Sequence, residues 1–233
     1  MDVLWFLKKR LEFIDRLYDE TTASFREKMR KMEEGEAPYE DHRDPEYTDV
    51  SEPAFLEEWQ EANEVVEVIG YWSLNMIQAS LKAFLEEYVN DMARYYSPFS
   101  EAKAELAKTK APNWFDRYRL FFLNYFHIDW ESGPVNIQDL EQINLTRDDL
   151  IHNVDVTTHT VYQSKKHAQR YPKSRFTDEV WATIGLTGKI KVGRDQITQA
   201  LSLVDGFCSW LEEIRVHYSA YLSSLAAAEP KSN

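Results

Sequence analysis

Thr146-Arg147-Asp148-Asp149-Leu150-Ile151-His152-Asn153 brings together the side chains best suited to chemistry in this chain. An arginine is permanently cationic and can hold a phosphate through two parallel N–H bonds. An imidazole can give or take a proton near neutral pH. Asp148 precedes His152 by four residues, so on a helix the two share a face and the carboxylate could orient the ring. Arg147 precedes His152 by five, which places it about 140° away on an ideal helix. One chain therefore aims the pair poorly, and a second copy across a symmetric interface could complete the site.

Charge is distributed unevenly around this stretch. The formal net charge of −13 argues against general nucleic-acid binding. Much of that charge lies between Glu33 and Glu58, where eleven acids face Arg43 alone. From Ile143 to Arg175 the balance reverses. Arg147, Lys165, Lys166, Arg170, Lys173 and Arg175 outnumber Asp148, Asp149 and Asp155, and His152, His159 and His167 lie among them. The basic region thus surrounds the Arg147–His152 stretch, either as an anion-attracting surface or as an ordinary solvated face.

An Arg, a polar residue, three more residues and a His resemble the short signature of the HEPN superfamily (higher eukaryotes and prokaryotes nucleotide-binding domains). In that superfamily the signature marks the metal-independent ribonuclease members. The polar position here is Asp148, where Asn is more usual, which adds negative charge beside the phosphate site. The resemblance implies a helical bundle that pairs two motifs across a homodimer, and an endoribonuclease needing neither metal nor cofactor. It further implies that His152 acts as general acid or base in cleavage driven by the RNA 2′-hydroxyl. Arg147 would stabilise charge at phosphorus, and Asp148 would orient His152. Asn153 would bind substrate or hold the loop, and Lys165, Lys166, Arg170 and Lys173 would attract the RNA strand. By the same analogy the setting is a toxin or antiviral-defence system with an antitoxin or defence partner. The competing expectation is a non-catalytic helical interaction or dimerisation module. It would use the aromatics near Trp114 to bind a partner or its own copy.

Composition excludes several other classes. Cys208 is the only cysteine, which rules out an intrachain disulfide; it falls on an apolar stripe and reads as a small core residue. No apolar run reaches the length of a membrane span. Lys8, Lys9 and Arg10 follow the first apolar residues instead of preceding them, unlike a secretory signal. The expectation is a cytoplasmic protein. His127-Ile128-Asp129 lacks further ligands at metal spacing and reads as a helix-end histidine. A His152/His159 pair would need helix through Val156-Thr157-Thr158, which three β-branched residues oppose.

Apolar periodicity supplies the elements that must position the motif. Leu4, Leu7, Leu11, Ile14 and Leu17 predict a long first helix over residues 2–32. The acidic, proline-bearing segment at about 33–52 reads as an insertion. A second helix runs from Pro53 to about Tyr96, capped by Ser51 and bent or divided at Gly70. A polar helix or connector follows over 99–110. Asn113 caps an aromatic-rich helix to Phe126, too crowded to bury every ring in its own chain. Asn136 caps the motif helix, with Ile137, Leu140, Ile143, Leu150 and Ile151 on its stripe. Asn144 or Thr146 could restart that helix, leaving Arg147 either at mid-helix or at a helix start where N–H groups would assist phosphate binding. Val180, Ile184, Leu186, Ile190 and Val192 suggest a small hairpin around Thr187-Gly188. Asp195 caps the last helix. The expected fold is all-α: an antiparallel four- to five-helix bundle, with a small β-hairpin insertion before the last helix. One helical domain would span 1–228, with a frayed tail at 229–233.

Overall fold

The computed structural model describes residues 2–41, 43, 53–95, 101–153, 160–178 and 188–228. The fold is all-α, and the elements follow the apolar spacing closely. Helix α1 spans Val3–Glu34, α2 Leu56–Tyr95, α3 Ala102–Lys108, α4 Trp114–Phe121, α5 Ile137–His152, α6 Lys165–Arg170 and α7 Arg194–Ala228. None of the helices, over the described residues, is long and apolar enough to cross a membrane.

Local chemistry sets the helix ends. The Asp2 carboxylate accepts from the backbone N–H of Trp5 at 2.9 Å and caps α1. Its other end closes at Gly35, whose φ of 63° is left-handed. There the Glu36 N–H donates to the Lys31 carbonyl at 2.9 Å and the Gly35 N–H to that of Met32 at 3.4 Å, a Schellman closure. Asn113 caps α4 as expected, accepting from the Asp116 N–H at 2.8 Å. The chain then continues as a π-helical turn, Phe122–Phe126, and leaves the helix at His127 in a left-handed conformation. The cap of α7 differs from expectation. Asp195 lies inside the first turn, and the Gly193 N–H donates to the side-chain oxygen of Gln196 at 3.1 Å. Gln196 is three residues into the helix entry, where an amide can reach back to that donor. The proposed cap Ser51 and the breaker Ser97-Pro98 lie outside the described residues.

The chain falls into two compact units, 1–11, 77–145 and 199–233 in one, 12–76 and 146–198 in the other. The first is built on aromatic packing. Trp130, 1% exposed, meets Phe115, Phe122 and Phe207 edge-on at ring distances of 4.8–5.4 Å. Tyr88 packs its ring on Phe122 and donates its hydroxyl to the Leu211 carbonyl at 3.0 Å, which satisfies the one polar atom it buries. The aromatic segment buries Phe115, Tyr118, Phe121 and Phe122 in the core and leaves Trp114, Tyr125 and Phe126 partly exposed, as its crowding implied. Cys208 is fully buried, and burial pushes its thiol pKa well above the usual value.

The second unit holds the motif. Its core includes Ile14, Tyr18, Leu74, Phe176, Ile190, Val192 and Ile197. Gly70 does not divide α2, which runs unbroken. Its role is close approach: a Cβ there would lie 2.0 Å from the Val192 carbonyl oxygen. Gly70→Ala gains up to about 1 kcal/mol of helix propensity but must displace backbone. The clash dominates, and a net loss of roughly 1–3 kcal/mol is expected, read as a lower urea midpoint. An unchanged midpoint would show that the Val192 strand of chain yields freely.

The hairpin is not supported. Residues 179–187, its first limb and Thr187 of its turn, lie outside the described residues. The second limb forms no strand. Lys189 and Ile190 instead make single antiparallel bridges with Tyr162 and Thr177. Backbone bonds from Gln163 to Gly188 (3.0 Å), Ile190 to Val161 (2.8 Å) and Lys191 to Phe176 (2.8 Å) knit three irregular segments together. The apolar residues at 190 and 192 are buried by this knot, so their alternation reflects burial without a ladder.

Candidate functional site

Helix α5 begins where Asn136 accepts from the Gln138 N–H at 2.9 Å, and it continues without restart to His152. Arg147 therefore sits at mid-helix. Its neighbouring backbone N–H groups are committed to the helix, so phosphate contact would fall to the guanidinium alone. The guanidinium is about one-third exposed and donates to the Asp148 carboxylate at 3.0 Å. Asp148 is thus held by Arg147, and among the described residues it makes no hydrogen bond to His152. His152 occupies the last turn of α5 and is exposed. Ile151 beside it is also exposed, off the buried stripe to which its periodicity assigned it.

Asp149 behaves differently from its neighbour. Consecutive helix residues point about 100° apart, and Asp149 follows buried Leu145 by four and buried Thr146 by three. It therefore faces inward. Its side chain is 3% exposed, and one carboxylate oxygen accepts from His167 Nδ1 at 2.6 Å; the His167 side chain is 0% exposed. The other oxygen accepts from the Asn153 side-chain amide at 2.9 Å. A carboxylate buried this deeply requires such partners. Asn153 is in this way turned to holding the helix end: its backbone carbonyl also accepts from the Tyr162 N–H at 3.4 Å.

His167 carries the basic segment with it. Ser164 caps α6 by accepting from the His167 N–H at 3.2 Å. His167 is the one buried residue of α6, whereas Lys165, Lys166 and Arg170 are exposed, as is Lys173 beyond it. The Arg170 guanidinium lies 5.9 Å from the centre of the Tyr171 ring. The Asp149–His167 bond thus ties the helix bearing Arg147 and His152 to the helix bearing three of the exposed cations. His159 lies outside the described residues, and no group of three or more His, Cys, Asp or Glu among those described is placed to hold a metal ion.

Two features of the candidate site escaped the spacing analysis, the Asp149–His167 couple and the Arg147–Asp148 pair. The first had a readable signal, since Asp149 stands on the same helical face as Leu145. The second had none, because adjacent residues on a helix do not ordinarily face one another. No known protein family, curated protein or solved structure matches this chain.

Proposed function

We propose that this protein is a metal-independent endoribonuclease of HEPN type, acting as a homodimer of antiparallel helical bundles. The observation that carries the reading is the placement of an exposed His152 and a partly exposed Arg147 on α5, with α6, which bears exposed Lys165 and Lys166, tied to that helix through the His167–Asp149 bond. In the reaction one imidazole removes the proton from an RNA 2′-hydroxyl. A 2′-O–P bond forms, the P–O5′ bond breaks, and a proton passes to the departing 5′-oxygen. A second copy supplies the other imidazole, and the guanidinium stabilises the charge gathering on the phosphoryl oxygens. The products carry a 2′,3′-cyclic phosphate and a 5′-hydroxyl. By resemblance the setting is a toxin or an antiviral-defence protein.

The test is incubation of the pure protein with single-stranded RNA in EDTA, with end-group analysis of the fragments. Fragments ending in cyclic phosphate are expected, and intact RNA after prolonged incubation would remove the assignment. Asp148 gives a second handle. RNA phosphate must replace its carboxylate as the acceptor for Arg147. That ion pair is substantially exposed and worth at most about 1 kcal/mol. Asp148→Asn should therefore raise RNA affinity by up to about 5-fold, measured by fluorescence anisotropy; weaker binding would mean that Asp148 itself contacts the strand favourably.

The second reading is a non-catalytic helical interaction module. Val68 and Trp72, 49% and 72% exposed one turn apart on α2, favour it, since adjoining apolar side chains left open to water form the kind of patch that partners cover.

A further inference from the structure

The buried Asp149–His167 couple has no part in the chemistry above. A six-residue helix does not hold its shape or orientation alone, because nucleation is too unfavourable at that length. Helix α6 depends on what anchors it, and its single buried side chain is His167. Among the described residues that imidazole makes one hydrogen bond, to Asp149 on α5 at 2.6 Å, and its buried Nε2 meets no partner there. A purely apolar contact would hold α6 against the core but would not fix its rotation. A short hydrogen bond with both partners almost wholly buried is directional, and it does.

Resting on the ribonuclease reading, we infer that Asp149 and His167 are positioning residues. They set α6 in a fixed register to α5, so that Lys165 and Lys166 track the same RNA strand whose phosphate meets Arg147 and His152. Asn153 belongs to the arrangement, because its amide holds the second oxygen of Asp149 at 2.9 Å and leaves the first for His167. The chemistry recognised by α6 is the phosphate backbone of a single strand, bound by point charges without base readout.

The test is a double-mutant cycle on RNA affinity. In the native chain, Lys165→Ala/Lys166→Ala should flatten the slope of log affinity against log salt. The change should be about 1.4 if each lysine neutralises one phosphate of a single strand. The same lysine removal is then made in Asp149→Asn/His167→Phe. That background keeps side-chain volume and the amide bond to Asn153 but lacks the bridge to α6. With α6 no longer in register, the lysine effect on the slope should fall to less than half. The loss should appear in KM with little change in kcat. Asp149→Asn alone keeps an acceptor for Nδ1–H and should retain the full lysine effect. If the double variant does not fold by circular dichroism, Asp149→Leu/His167→Phe replaces the couple with apolar groups and gives the same comparison. An equal lysine effect in native and couple-free backgrounds would overturn the positioning role while leaving the ribonuclease reading intact. Failure of the native chain to bind or cut RNA would instead overturn that reading, and with it any task for the couple in RNA binding.

Discussion

Replacing His152 by Ala is expected to slow RNA cleavage in EDTA by about 10²–10⁴-fold, the usual contribution of a positioned acid or base. That corresponds to roughly 3–5 kcal/mol of transition-state stabilisation. No surface effect of the substitution competes with it. His152 is exposed in the last turn of α5, and among the described residues it makes no hydrogen bond whose loss would unfold the helix. Thermal midpoint and helicity should stay within experimental error, and RNA affinity should fall little, because affinity rests on the lysines and Arg147. The decisive measurement pairs single-turnover cleavage with circular dichroism on one preparation. Native cleavage by a folded His152→Ala protein would exclude the imidazole from the reaction, and with it the assignment of the whole Arg147–His152 stretch.

His167→Ala should produce the largest loss of stability in this set, about 3–5 kcal/mol. The Asp149 carboxylate would remain almost wholly buried with only the Asn153 amide to satisfy it, and the imidazole would leave a void. For a chain of 233 residues this should lower the melting temperature by on the order of 10 °C. Replacing both partners, as in Asp149→Leu/His167→Phe, should cost far less, because neither member of the couple is then left as an unpaired polar group in the interior. The contrast between single and double replacement separates the price of an orphaned charge from the worth of the pair. Equal melting temperatures for native and His167→Ala proteins would mean that water reaches Asp149 freely, contrary to its 3% exposure.

Much of the architecture was legible because helix formation is governed by short-range spacing. Leu7, Leu11 and Ile14 declare the buried side of α1, and Asn113 and Asn136 announce helix starts through bonds two or three residues away. The apolar residues at Ile190 and Val192 were read as hairpin for an equally local reason. Alternation reports burial on one side, but a strand also needs a partner in register, and Lys189 and Ile190 find theirs at Tyr162 and Thr177. Gly70 stands out within α2, and local spacing alone suggests a bend or a break there. Its meaning lies in a carbonyl of Val192, 122 residues further along the chain.

For the candidate site, sequence alone determined that Arg147, Asp148 and His152 ride one helix within a basic stretch, since residue type and a 3.6-residue period suffice for that. Tertiary structure alone decided that Asp148 pairs with Arg147, that Asp149 turns inward, and that His167 lies across from it, 18 residues on. The physical reason is reach. A helix fixes the directions of its own side chains, but which of them meets water, a neighbouring charge or a buried imidazole depends on what the rest of the chain packs against it.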